Sequence, residues 1–220
     1  RRRLIKAAGD VAKIAYDEQT DINEVVNQSE QALFGVSEGR STRDLVPISQ
    51  VAHEYYDRVQ QLYDNRGTVV GVPTGFQDLD KLLGGMQKSD LIVVAGRPGK
   101  GKSAFMVSVA LNAARTHNQR VALFSLEMSN EQVMQRMVAQ DSHIDSHRLR
   151  MGELEDEQMD RFIHSVNLLS DVGVYLDDTP SISAMQLRSK SRRLAAEIKL
   201  DLIIVDYLQL MITDLRRDSN

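Results

Sequence analysis

The stretch Gly96-Arg97-Pro98-Gly99-Lys100-Gly101-Lys102-Ser103 decides how this chain is read. It follows an apolar run, Leu91-Ile92-Val93-Val94-Ala95, and leads into a helical segment, Ala104 to Ala114. Strand, glycine-rich turn, Lys-Ser and helix, in that order, make a phosphate-binding loop. Gly96, Gly99 and Gly101 let the backbone turn its N–H groups inward, which forms a concavity for an anion. The helix that follows directs its positive end at the same point. Lys102 can then reach the β- and γ-phosphates, and the Ser103 hydroxyl can ligate Mg²⁺. A plain glycine turn between a strand and a helix is the competing reading. The full pattern implies that the chain binds a nucleoside triphosphate or descends from one that does.

Downstream of the loop, apolar strands alternate with helices. Strands are expected at Val121 to Leu126, Val174 to Leu176 and Leu202 to Val205, in addition to Leu91–Ala95. The phosphate-loop helix should run to about His117. Ser129 with Gln132 and Ser183 with Gln186 have the spacing of capping boxes. They should open helices through Gln140 and to about Lys199, with another from about Glu155 to Leu169. This alternation implies an α/β fold with a parallel sheet covered on both faces.

Upstream, Gly71-Val72-Pro73-Thr74-Gly75-Phe76 is turn chemistry, followed by a short helix, Gln77 to Leu83, that Gly84-Gly85 stops. Before it, a helix is expected from about Gln50 to Asn65, with Tyr55, Tyr56 and Tyr63 giving it more surface than a solvated connector needs. The first part of the chain reads as two short amphipathic helices. Leu4, Ala8, Val11 and Ala15, widened by Ile5, Ala12 and Ile14, form the stripe of one, and Ile22, Val25, Val26, Ser29, Leu33 and Val36 that of the other. Asp21 with Glu24 resembles a cap for the second, and Gly39 ends it. Simple packing and a docking role both fit such a pair.

With 42% hydrophobic and 26% charged residues among 220, the composition is that of a globular domain with an appendage. The formal charge of −4 argues against nucleic-acid binding by bulk electrostatics but leaves room for a local basic groove. There are no cysteines, so disulfides and thiolate metal sites are absent. No apolar run approaches the ~18 residues of a membrane span, which makes a cytoplasmic protein without membrane contact the expectation.

Two carboxylates stand where a parallel sheet presents its ligands, at the carboxyl ends of strands. Asp206 ends an apolar strand, as the Mg²⁺-holding Walker B aspartate does. Glu127 directly follows another strand and is placed to polarise an attacking water as a general base. Either residue could instead serve structure, Asp206 by ending its strand and Glu127 by favouring the start of the next helix. Asp177 and Asp178 also follow a strand, but Thr179-Pro180 after them reads as a turn, so they are taken as structural. His143 and His147 lack a third firm ligand for a metal. Arg188, Lys190, Arg192 and Arg193 form a basic helical stretch without the aromatic interleaving of single-strand grooves.

Val72-Pro73-Thr74-Gly75-Phe76, Asp78-Leu79-Asp80, Gly84-Gly85, the phosphate loop, Ser125-Leu126-Glu127-Met128-Ser129 and Val205-Asp206-Tyr207-Leu208-Gln209-Leu210 together resemble the bacterial replicative helicase family DnaB. The resemblance covers nearly the whole chain. It implies a RecA-like parallel sheet with flanking helices, incomplete at the C-terminus, in residues 67–220. Residues 1–39 would be a helical hairpin from the end of the N-terminal collar. Residues 40–66 would be a linker whose helix, matched by 47–64, packs on an adjacent subunit. The implied activity is ATP-dependent 5′–3′ unwinding of duplex DNA at a replication fork by a homohexamer encircling single-stranded DNA, with primase and a helicase loader as partners. Lys102 matches the phosphate-contacting lysine, Ser103 the Mg²⁺ hydroxyl, Glu127 the catalytic glutamate and Asp206 the Walker B aspartate. Lys100 stands where the family more often has an uncharged residue such as Met. The family's sensing strand, DNA-binding loops and arginine finger lie beyond the Walker B strand. The 220-residue chain alone is therefore expected to hydrolyse ATP poorly and not to act as a motor. A RecA-like assembly or regulatory ATPase without unwinding is the alternative.

Overall fold

A computed structural model describes residues 2–17, 45–64 and 69–212, together with the helical positions 22, 25, 26, 28, 29, 32 and 33. The chain divides into two compact units, 1–66 and 67–220. In the first, α1 spans Arg2–Ala15 and α2 spans Ile48–Asp64. Only Ala7 of α1 is buried, with Val11 and Ile14 half-buried. The inward face thus runs through Ala7, Val11 and Ile14; the last two belong to the expected stripe, whereas Leu4, Ile5, Ala8, Ala12 and Ala15 of that stripe are exposed. The apolar residues of α1 cover more of its circumference than one neighbour can bury, so hydrophobicity alone does not fix the rotation. The expected Asp21 cap and the Gly39 stop lie outside the described residues.

The second unit is organised by a parallel sheet of three strands: β1 (Val121–Ser125), β2 (Val174–Asp177) and β3 (Leu202–Asp206), in the order β2-β1-β3. Val121 pairs with both Val174 and Leu202, and the register continues to Ser125 beside Asp206. Every residue of β1 is buried. Because successive side chains alternate across a sheet, Val121 and Leu123 enter one core while Ala122 and Phe124 enter another.

The first core is closed by three helices: α4 (Lys102–Leu111) through Val107 and Ala110, α5 (Asn130–Ser142) through Val133 and Met137, and α7 (Asp156–Ser170) through Leu169. A short α6 (Ser146–Met151) lies between α5 and α7 in sequence. The opposite core is closed by Ile182 and by Leu187 and Leu194 of α8 (Ala184–Glu197). The double-sided α/β sheet expected from strand and helix alternation is present.

Both expected capping boxes form, Ser129 with Gln132 and Ser183 with Gln186. A third, Glu155 with Gln158, has a glutamate in the serine role. Asp145 caps α6 by accepting from the His147 and Arg148 N–H groups, and His143 is the left-handed C-cap of α5. These are local structural uses of a His/Asp-rich segment.

One expectation fails. Leu91–Ala95 is not a strand. Leu91 is 89% and Val93 76% exposed, and no described residue forms a ladder with the run. A strand exists by pairing, and an apolar run without a neighbour cannot satisfy its backbone in a sheet.

Candidate functional site

The turn leading to the phosphate loop is built first. Asp80, in α3 (Gln77–Leu83), is 6% exposed, and its carboxylate accepts from Thr74 N–H and Thr74 Oγ1 at 2.7 Å each and from Gly75 N–H at 3.0 Å. The Thr74 carbonyl in turn accepts from Asn112 Nδ2 at 3.0 Å. Asn112 begins a π-helical turn, Asn112–Thr116, that continues α4 in place of the regular helix expected to His117. Gly75 has φ +82°, and a Cβ there would lie 2.3 Å from the Asn112 amide. Phe76 stacks on Phe105 of α4 with ring centroids 5.2 Å apart. The Val72–Phe76 turn is therefore fastened to the helix that carries Lys102 and Ser103.

The loop itself is exposed from Gly96 to Gly101. Lys100 N–H donates to the Arg97 carbonyl at 3.2 Å, closing a turn through Pro98 and Gly99. Gly99 and Gly101 adopt φ +74° and +85°, a region costly for any residue with a Cβ, and no atom stands within 4 Å of where a Cβ would be. Gly101 is the N-cap of α4, and Lys102 and Ser103 are its first two residues. Lys102 Nζ donates to the Gly96 carbonyl at 3.1 Å, so the ammonium folds back over the loop. The Lys100 side chain is exposed.

Ser103 Oγ donates to Asp206 Oδ2 at 2.9 Å, joining the loop to the end of β3. Asp206 is only 7% exposed. The Asp206 carbonyl accepts from Leu126 N–H at 2.7 Å, which attaches the segment carrying Glu127 to the same strand end. Ser125 Oγ donates to the Met128 carbonyl at 2.7 Å and accepts from Met128 N–H at 3.2 Å, tightening the turn around Glu127, whose side chain is exposed. Loop, Asp206 and Glu127 turn, all singled out in the sequence, meet at the carboxyl edge of the sheet. Two hard oxygen donors in contact beside an exposed glycine-rich loop fit a divalent cation with a phosphate chain. Among the described residues no His/Cys/Asp/Glu cluster of three or more forms a metal site.

The end of β2 carries Asp177 and Asp178, the two carboxylates taken as structural in the sequence, and both bond within the fold. Asp178 Oδ2 accepts from Asn130 N–H, the first residue of α5, at 2.9 Å. Asp177 pairs with Lys190 of the basic stretch, and Thr179 N–H donates to Asp177 Oδ1 at 3.0 Å. Burial alone would raise the Asp177 carboxyl, but hydrogen bonds from Lys190 and Thr179 and the Lys190 charge outweigh it and hold it below its ordinary value. The signal available in the sequence was position: two carboxylates after a strand, at the edge where such sheets bind ligands.

Residues 71–220 match the family model described as the DnaB-like helicase C terminal domain. The chain belongs to this family. A replicative DNA helicase DnaB of Nostoc sp. is 42% identical over 214 residues, 96% of this chain and 24% of that protein. The replicative DNA helicases DnaC of Bacillus subtilis and DnaB of Geobacillus stearothermophilus are each 38% identical over 210 residues, 96% of this chain and 46% of theirs. The chain thus spans between a quarter and just under half the length of these relatives. The fold is also found in solved structures. One of them, an ATPase domain, superposes with a TM-score of 0.74 at 24% identity, covering 80% of this chain and 62% of that one. A DnaB-like replicative helicase, studied with its interactions with primase, superposes at 0.69 and 22% identity over 99% of this chain and 51% of its own. The core is RecA-like, as the resemblance implied, and nucleotide binding follows from the family.

Proposed function

We propose that the whole protein is an ATP-driven replicative DNA helicase and that this chain carries its nucleotide site. The observation that carries the reading is the contact between Ser103 and Asp206, 103 residues apart, beside the loop of Lys102. In this reading the nucleotide is ATP and the metal Mg²⁺. The N–H groups of Gly96, Arg97, Gly99, Gly101, Lys102 and Ser103 would cradle the phosphates, Lys100 N–H with Pro98 closing the turn on the Arg97 carbonyl, and Lys102 would leave the Gly96 carbonyl for them. Ser103 and Asp206, now hydrogen-bonded to each other, would hold the cation. Mg²⁺, when bound, supplies neutralisation of the triphosphate charge. Glu127 accepts a proton from the attacking water.

In this account 67–220 is the ATPase core, 1–39 a collar hairpin and 40–66 a linker whose helix docks on the next subunit of a homohexamer. Support for the last part is chemical: Tyr55, Tyr56 and Tyr63 of α2 are all exposed. Single-stranded DNA, primase and a helicase loader are the partners, and the cytoplasm is the site of action. Among the described residues no helix is long and apolar enough to cross a membrane.

Strand displacement on a fork with a 5′ tail, by the whole protein and its Lys102→Ala variant, tests the proposal. ATP-dependent displacement, reduced at least ~100-fold in the variant, is expected. Hydrolysis of ATP without translocation on DNA would instead indicate an assembly or regulatory ATPase.

A further inference from the structure

The turn that carries Glu127 is held by two kinds of bond. Some are internal: Ser125 Oγ with Met128, and the Ser129–Gln132 box. Two come from outside. Leu126 N–H is bound by the Asp206 carbonyl at 2.7 Å, and Asn130 N–H by the Asp178 carboxylate at 2.9 Å. Since β3 and β2 flank β1 on opposite sides, these ties fix the turn from both neighbours. The first is backbone to backbone. The second rests on one side chain.

Asp178 is itself well supported. Asp177 before it and Thr179 after it both bond Lys190 Nζ, the hydroxyl contact being 2.6 Å, so its backbone lies between two anchored residues. Its carboxylate meets the first N–H of α5, an orphan donor at the positive end of a 13-residue helix. The loop after β2 is thus braced by α8, and through Asp178 it braces the segment from which Glu127 projects.

We propose that Asp178 is a positioning residue for Glu127: it fixes the start of α5, and thereby the turn that aims the Glu127 carboxylate. This rests on the reading of Glu127 as the base that polarises water. Misplacement of a reacting group by about 1 Å can cost ~100-fold in rate, so loss of one of two ties should lower turnover by about tenfold. Nucleotide affinity, which the loop and Lys102 set, should not change.

The test compares wild type, Asp178→Ala, Asp178→Asn and Glu127→Gln in the whole protein. It reads ATP turnover at saturation, nucleotide affinity and hydrogen exchange of the amides of residues 126–130. Asp178→Ala is expected to lower turnover about tenfold and speed exchange at 126–130 by at least as much, with affinity within about twofold of wild type. Asp178→Asn, which keeps an oxygen acceptor for Asn130 N–H, should restore both. Unchanged exchange in Asp178→Ala would overturn the tie, and faster exchange with wild-type turnover would overturn its role in positioning. Wild-type turnover in Glu127→Gln would overturn the Glu127 reading itself, a failure recognised without any change at 178.

Discussion

Asp177 and Asp178 are adjacent carboxylates with different duties, and their partners decide which is which. Asp177 is paired with Lys190 and bonded by Thr179, and its carboxyl sits below the ordinary value despite the opposing effect of burial. A carboxyl whose folded pKa is depressed stabilises the fold fully above its unfolded pKa. That contribution is lost as pH falls through the folded one. Urea unfolding of wild type and Asp177→Asn should therefore differ most near neutral pH, with wild type more stable. The two should converge as pH drops below the normal carboxylate range. A difference that stayed constant into acid would show that the Lys190 pair does not shift Asp177. Lys102, Ser103, Glu127 and Asp206 stand out in the sequence as candidates because each occupies a fixed offset from a strand end or glycine loop. Asp178 was legible as a structural carboxylate but its partner was not, because Asn130 is 48 residues away and contributes only a backbone N–H.

At the scale of elements, local chemistry was read more surely than pairing. The short helix occupies Gln77–Leu83 as expected, and the Ser129 and Ser183 boxes form, since a cap needs only residues three apart. Leu91–Ala95 shows the converse: its apolar run signals a strand, yet ladder formation depends on a neighbour that periodicity cannot supply. The π-helical turn at Asn112 was equally hidden, being tied to a contact with Thr74 across 38 residues. The brace of α3 gives a stability prediction. Asp80→Ala would leave Thr74 N–H, Thr74 Oγ1 and Gly75 N–H without their acceptor, at a cost of about 2–4 kcal/mol in urea unfolding. Asp78→Ala removes an exposed ion pair with Lys81 and a first-turn acid in open solvent, and should leave the unfolding midpoint nearly unchanged. Equal effects of the two would mean that the Val72–Phe76 turn is not held through Asp80.

For the whole molecule, family membership and the second unit agree. The match to the DnaB-like domain begins at residue 71, and the sheet, its two cores and every candidate site residue fall within it. The first unit contributes exposed apolar surface on α2, notably Ile48 and Tyr55, whose use belongs to the assembled protein proposed above. In this chain the loop from Gly96 to Ser103 and Asp206 are proposed to form one nucleotide site. Mg²⁺-dependent binding of a fluorescent ATP analogue to the 220-residue chain and to its Lys102→Ala variant tests it most directly. Saturable binding is expected that requires Mg²⁺ and weakens about 100-fold in the variant, as loss of charge-assisted bonds worth ~2–3 kcal/mol dictates. Equal affinity of the two chains, with or without Mg²⁺, would contradict it.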